Sequence, residues 1–180
     1  QVDTILEPNV AIWEALKDDA DSTIVATPTT ATRVLRLRVD QEPWTKNEVR
    51  QALKHCQNRE KILALALQGQ GTIGNDSHVG QANPEFVDVP PYPFDTAKSL
   101  ELLKAAGVET PVKVELSVAS DWPESMAFAQ ALKEDAAAGG FEITLKPMPA
   151  TEYWNIWTTA NIGITWWSHR TLAPMTLAVA

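Results

Sequence analysis

The residues best suited to chemistry stand near the end of the 180-residue chain, where Trp166-Trp167-Ser168-His169-Arg170 follows an alternating apolar run. An indole offers a broad apolar face with one N–H donor, an imidazole gains charge near neutral pH, and a guanidinium forks onto a carboxylate. Such a set can hold a small molecule. Covalent catalysis would need a Ser, Cys or Thr beside a base in a local motif, and there is no Gly-x-Ser-x-Gly elbow. Cys56, the single cysteine, cannot form an internal disulfide, and its place on the apolar face of an expected helix makes it a buried, inert thiol. Its neighbour His55 points about 100° away around that helix, so the two are no ready dyad. No catalytic residue is expected.

Metal binding needs clustered donors, and His55, His78 and His169 are far apart in sequence. Asp76 and His78 are close enough to share an ion, but a loop Asp-x-His reads better as turn chemistry and solvation. Gly69-Gln70-Gly71-Thr72-Ile73-Gly74 resembles a phosphate loop only superficially: it follows a helix rather than a strand and lacks the Lys-Ser/Thr ending. Neither a metal nor a cofactor is expected.

Charge narrows the partners. With 15 Lys+Arg against 23 Asp+Glu, a formal charge of −8, the chain repels polyanions. Its densest basic group, Arg33, Arg36 and Arg38, lies on one expected strand, too small a footprint for nucleic acid. No apolar run approaches the roughly 18 residues of a membrane-spanning helix, and the sequence from Gln1 lacks a signal-peptide pattern. The chain opens on the strand-like Val2-Asp3-Thr4-Ile5-Leu6 and stops within the apolar run Met175 to Ala180, which points to a fragment of a longer protein.

Strand periodicity must position these groups. Leu35, Leu37 and Val39 alternate with Arg36 and Arg38; Val112, Val114, Leu116 and Val118 alternate with Lys113, Glu115 and Ser117. Phe141, Ile143 and Leu145 repeat the pattern, as do Ile162, Ile164 and Trp166, although Gly163 and Trp167 blur the polar face. Helices lie between. Val49, Ala52, Leu53 and Cys56 share a helix face behind a capping box Thr45-x-x-Glu48. Arg50, beside that stripe, suits a surface or interhelical ion pair. Asn58 caps a second helix through Leu67, ended by Gly69, and Asp95 caps a third that carries Leu100 and Leu103 and stops at Gly107. A fourth runs from about Trp122 to Ala138, with Asp121-x-x-Glu124 at its start, Pro123 in its first turn and Gly139-Gly140 at its end. Strand 112–118, helix 122–138 and strand 141–146 form a βαβ unit with parallel strands and a right-handed crossover, so the fold class is α/β. Between Gln68 and Asp95 the composition predicts a long, ordered irregular loop.

Trp154 and Trp157, at i and i+3, suit a buried helix face, and Trp166 continues the inward side of its strand. Trp167 lies on the opposite side, near the carboxyl end of the strand, where open α/β sheets place ligands.

Pro43-Trp44, then Val49-Arg50-Gln51-Ala52-Leu53, then Cys56-Gln57-Asn58-Arg59-Glu60-Lys61-Ile62 closely resembles the signature of the family 5 extracellular solute-binding proteins, which include dipeptide-, oligopeptide- and nickel-binding members. The order of the supporting features agrees: Asp3 in the opening strand, Gly69 and Gly71, Pro91-Tyr92, Asp95 with Ala97-Lys98, Leu102-Leu103-x-x-Ala106-Gly107, and a late strand leading to a Trp. The resemblance spans nearly the whole chain. It implies one lobe of a type II periplasmic-binding-protein-like fold, a mixed α/β sheet flanked by helices, with residues 1–180 forming most of the second lobe of a bilobed receptor.

The function implied is the substrate-binding component of an ABC importer that captures a peptide-like or other small carboxylate-bearing solute between its lobes. Implied partners are that solute, the missing first lobe and the membrane permease, in a periplasm or outside the cell, free or held by a lipid. In peptide-binding relatives an aspartate after the late Trp pairs with the ligand's α-ammonium; here Trp167-Ser168-His169-Arg170 carries no carboxylate. Arg170 can instead fork onto a ligand carboxylate, with His169 hydrogen-bonding to it. Alternatively, both cap or solvate the start of the following helix. The expected ligand contacts are Trp166, Trp167, His169 and Arg170. A reading from a different class is a stand-alone α/β protein-interaction domain whose Trp-rich end docks a partner.

Overall fold

Alternating side chains do assemble a sheet, and its order is set by pairings distant in sequence. The computed structural model describes residues 4–6 and 8–179. Its four strands, β1 (Thr32–Leu37), β2 (Val112–Ala119), β3 (Phe141–Met148) and β4 (Ile162–Trp167), stand in the order β1-β4-β2-β3. β2 and β3 are parallel, joined by helix α5 (Pro123–Ala138), as the βαβ pattern predicts. β4 runs parallel to β2 and antiparallel to β1, so the last strand in sequence lies inside the sheet. The expected β1 stops early: Val39 lies past its end and is exposed, because Arg38 donates its backbone N–H to Asn161 and pairs its side chain with Asp40 at 2.6 Å, turning the chain. Of the expected opening strand, Val2 and Asp3 lie outside the described residues, and Thr4, Ile5 and Leu6 are exposed and unpaired.

One face of the sheet turns Val112, Val114, Leu116 and Val118 with Ile162 and Ile164 into the main core. There they meet Trp44, α2 (Asn47–His55) through Val49, Ala52, Leu53 and the adjoining Cys56, α4 (Thr96–Ala105) through Leu103, and α5 through Phe128, Ala129, Leu132 and Ala136. Helix α3 (Arg59–Leu67) packs outside α5 and is tied to it by Lys61, which reaches Asp135 at 2.8 Å and Glu134 at 3.2 Å. The other face carries α6 (Ala150–Ile156), whose Tyr153 is fully buried with Ala119 and Met148. α1 (Val10–Leu16) buries no residue, and α7 (Ala173–Leu177) buries Ala173 and Thr176. No helix among the described residues is long and apolar enough to cross a membrane.

Two of the four expected caps form. Asn58 Oδ1 accepts from the Lys61 N–H at 3.1 Å, and Asp95 Oδ1 accepts from the Lys98 N–H at 2.9 Å. The capping box at Thr45 and the helix start at Asp121 do not. Thr45 donates its hydroxyl to Glu42 at 2.6 Å, and α2 begins after Lys46 with no side-chain cap. Asp121 accepts from the Ala150 N–H at the start of α6, while Glu124 is taken by Arg33. A cap is worth about 1 kcal/mol, whereas burying one Val or Leu is worth roughly 1.5–3 kcal/mol, so the stripe Val49, Ala52 and Leu53 holds α2 without one. Arg50 makes no ion pair among the described residues: it donates to the carbonyls of Trp44 and Thr45 and to Asn47 Oδ1, closing the turn before its own helix.

Of the two leucines expected on α4, Leu103 is buried and Leu100 is exposed, and Ser99 is buried beside Leu103. The reason is a polar knot between helices. The Cys56 thiol donates to Ser99 Oγ at 3.2 Å, and Ser99 donates to the Gly139 carbonyl at 2.7 Å. Burial pushes the Cys56 thiol up to about 11, which fits an inert core cysteine. A Cβ on Gly139 would stand 2.2 Å from Cys56 Sγ and 3.1 Å from Ser99 Oγ. Gly139→Ala should therefore destabilise the fold by about 1–3 kcal/mol in urea unfolding. Adding Cys56→Ala should return part of that loss, and purely additive effects of the two changes would contradict the steric account.

Candidate functional site

The parallel strands end together, so Ala119, Met148 and Trp167 mark one edge of the sheet, joined there by Thr32 at the start of antiparallel β1. Side chains alternate along β4. Gly163, Thr165 and Trp167 face α6, and Ile162, Ile164 and Trp166 face the main core side. Tyr153 lies over Gly163 and shares a 2.8 Å hydrogen bond with Thr165 Oγ1, which seats α6 on β4. Burial raises the Tyr153 phenol above its ordinary range, so it stays neutral and can share that bond at neutral pH.

From Tyr153 a chain of aromatic rings follows the edge. Trp122 contacts Tyr153 and Trp154 at 5.5 and 5.3 Å, Trp154 contacts Trp157 at 5.9 Å, and Trp157 contacts Trp167 at 6.2 Å. His78, from the long loop, closes the series with its ring 5.0 Å from that of Trp167. Every one of these pairs is edge to face, the arrangement favoured by ring quadrupoles. Arg36 of β1 fixes the far end of α6: its guanidinium donates to the carbonyls of Trp157 and Ala160 and lies 5.8 Å from the Trp157 ring centre. Trp157 is the C-cap of α6, so its carbonyl is one the helix leaves open, and Ala160 lies just beyond.

The segment after β4 is fastened by Thr30, whose N–H donates to His169 Nδ1 at 3.1 Å. The Thr30 hydroxyl donates to the Arg170 carbonyl at 2.7 Å and accepts from the Arg170 N–H at 2.8 Å. Asn83 of the long loop adds bonds to the carbonyls of Arg170 and Thr171. Gly80 packs so near Thr30 that a Cβ there would lie 3.8 Å from its Cα.

The four residues expected to contact ligand are therefore brought only partly together. Trp167 is half-buried at the aromatic edge, and its indole Nε1 is covered without a hydrogen-bond partner. Trp166 stands on the opposite face, 5.5 Å from the Arg33 guanidinium that pairs with Glu124 at 2.7 Å, and so does not share Trp167's surroundings. His169 is exposed, with Nδ1 spent on Thr30. Arg170 is exposed too, its guanidinium resting on Ser168 Oγ and the His169 carbonyl at 3.3 and 3.2 Å, with no carboxylate partner among the described residues. Neither residue caps α7: Glu85 of the long loop accepts from the Ala173 N–H at 3.2 Å. Trp154, expected in the core, is 41% exposed, and Trp157 is half-buried, because α6 presents Tyr153 rather than the tryptophans to the sheet.

Sequence reasoning missed Thr30, Asn83, His78 and Trp122. Only the length of the loop between Gln68 and Asp95 signalled a role for that region. Asp76, considered with His78 as an ion site, is held instead by Arg59 at 2.8 Å and Lys54 at 3.9 Å, and no group of three or more His, Cys, Asp or Glu could hold a metal among the described residues. Two open surface hollows, one beside α4 at Leu100 and Lys104 and one within the long loop at Val79, Val87 and Val89, include none of the edge aromatics.

Residues 1–179 match the family model described as "Bacterial extracellular solute-binding proteins, family 5 Middle". The chain is 27% identical over 127 residues to the glutathione-binding protein GsiB of Pectobacterium atrosepticum, covering 71% of this chain and 24% of that protein. It is 28% identical over 152 residues to the di/tripeptide-binding protein 1 of Pseudomonas aeruginosa, covering 82% of this chain and 28% of that protein. The chain thus spans about a quarter of the length of these relatives. Among solved structures, the AppA protein of Clostridium difficile superposes with a TM-score of 0.79 at 18% identity, over 93% of this chain and 36% of that one. NikZ of Campylobacter jejuni, solved with Ni(L-His), gives 0.79 at 21% identity, over 92% and 35%. At those identities the likeness is one of fold.

The aromatic edge makes a prediction that needs no ligand. Arg36→Met should free the end of α6 and lower stability by about 1–3 kcal/mol, by the loss of hydrogen bonds from a charged donor. Near-ultraviolet circular dichroism should weaken as Trp157 loses its fixed contact with Trp167, while helical ellipticity persists. An unchanged aromatic spectrum would show that Arg36 does not hold this edge.

Proposed function

The chain belongs to the family 5 bacterial extracellular solute-binding proteins, and on that footing we propose that it forms part of one lobe of a two-lobed receptor that captures a peptide-like, carboxylate-bearing solute for an ABC importer. The observation that carries this reading is the half-buried Trp167 at the carboxyl edge of the sheet, with the guanidinium of Arg170 three residues on and no carboxylate engaging it among the described residues. Relatives named for glutathione and for di- and tripeptides support the solute class, since those molecules all carry free carboxylates.

The reading is one of capture without turnover. Trp167 offers an apolar surface, Arg170 a fork for a carboxylate, and His169 its remaining ring nitrogen. Trp166 anchors the strand end from the far side. Because the formal charge is −8, an anionic solute meets an unfavourable overall field, and a local cation is needed to hold it. Closure follows if the solute touches both lobes, because it then binds the closed form better and shifts the population toward the state a permease would recognise. The location is the periplasm or the outer side of a single membrane, with or without a lipid anchor on the full-length protein.

Calorimetric titration of the full-length protein with glutathione and with Ala-Ala tests the proposal. At least one should bind, and Ala-Ala amide, which lacks the carboxylate, should bind about tenfold or more weakly than its acid, as should the acid to Arg170→Ala. Trp167→Ala should cost a similar factor. Equal affinity for acid and amide, or full affinity in both variants, would remove the site from this edge.

A further inference from the structure

Among the described residues, seven covered side-chain nitrogens and oxygens have no hydrogen-bond partner, and four of them belong to Arg33, Arg36, Arg59 and Asp135, whose charged groups are bonded through another atom. Of the other three, Ser125 Oγ stands alone, while Trp167 Nε1 and His78 Nδ1 belong to rings in contact. No hydrogen bond of His78 is made through either nitrogen among the described residues. Leaving buried polar groups unmade is costly, and two on contacting rings mark a place where a partner from elsewhere completes them.

The surroundings say what that partner is. Burial lowers the readiness of His78 to take a proton, and His78 forms no ion pair among the described residues. Asp76, two residues earlier, is engaged by Arg59 and Lys54, and the next cation along the edge, Arg36, lies over Trp157, one ring away from Trp167. An indole N–H and an imidazole N–H on contacting rings are two donors for one carboxylate, and the imidazole becomes a charged and stronger donor once protonated.

We propose that His78 and Trp167 form a single subsite for a carboxylate of the bound solute, the indole N–H and an imidazolium N–H both donating, with a proton drawn from solvent onto His78 as the anion docks. The subsite rests on the solute-capture reading above and adds to it a coupling between binding and proton uptake. Its affinity falls as pH rises, because the bound form carries one more proton on His78 than the free form. Both atoms are covered, so docking requires the loop to yield at His78, between its ties at Asp76 and Asn83.

The test uses full-length protein labelled with 15N at histidine and tryptophan, with sodium acetate as the minimal carboxylate and sodium chloride at equal ionic strength as control. Acetate alone should shift the Trp167 indole resonance and raise the pH midpoint of His78, and His78→Gln should abolish the indole shift. Trp167→Phe keeps the ring and loses the donor, so it should weaken acetate binding about threefold or more. Resonances unmoved by acetate, or an indole shift that persists in His78→Gln, would overturn the subsite. Titrating glutathione and Ala-Ala in two buffers of different ionisation heat separates the two proposals. If acetate acts but neither solute binds, the solute-capture reading fails and the subsite stands; if a solute binds without proton uptake and with full affinity in His78→Gln, the subsite falls and the capture reading stands.

Discussion

Tyr153 lies against a strand that has no side chain at Gly163, and the placement of the aromatic edge follows from that approach. A Cβ at Gly163 would stand 2.8 Å from the Tyr153 hydroxyl, so the ring can lie on β4 only over glycine. The shared hydrogen bond with Thr165, one strand repeat further on, fixes the ring along the strand as well as against it. With Tyr153 fully buried, the rest of α6 has little freedom: Trp154 and Trp157 must stand along the sheet edge, where they meet Trp122 on one side and Trp167 on the other. Rings in edge-to-face contact constrain each other's rotation, so the edge behaves as one surface rather than as separate side chains.

That surface differs in character from the core beneath it. The core side of the sheet is closed by helices α2 to α5, whose buried contacts are mainly apolar, with the knot of Cys56, Ser99 and Gly139 among them and the Lys61 ion pairs to Asp135 and Glu134 outside. On the other side α6 covers only the carboxyl end, and the remaining strand positions carry exposed ion pairs such as Lys146 with Glu115 at 2.9 Å. Ion pairs of that kind contribute little to stability, about 0–1 kcal/mol, and serve to keep the face wet. The aromatic end is thus the part of this face suited to recognition. It is also the part held by the longest-range bonds, from Arg36 to residues 157 and 160 and from Thr30 to residues 169 and 170.

Legibility in the sequence followed the physics of each feature. The stripe Val49, Ala52, Leu53 and Cys56 and the alternation along 112–118 announced their elements because burial of one face is a local pattern with large energy. The caps at Asn58 and Asp95 were equally local. Thr45 and Asp121 had the spacing of caps yet were recruited by Glu42 and by the Ala150 N–H, since a single short polar side chain binds whichever partner the fold brings nearest. Arg50 gave no local sign that it would close the turn at Trp44, and His78 looked like an ordinary loop histidine.

The amino-acid order by itself determined the α/β class, the βαβ unit and the family membership, because periodic burial and an ordered run of signature residues are written along the chain. It also placed Trp167 at a strand end. Only the tertiary structure decided that β4 enters between β1 and β2, which neighbours Trp166 and Trp167 meet on their two faces, and that His169 gives its Nδ1 to Thr30, 139 positions earlier. Those outcomes depend on strand order and on contacts between residues more than a hundred positions apart, and no local pattern of side chains encodes which distant neighbour a polar atom will meet.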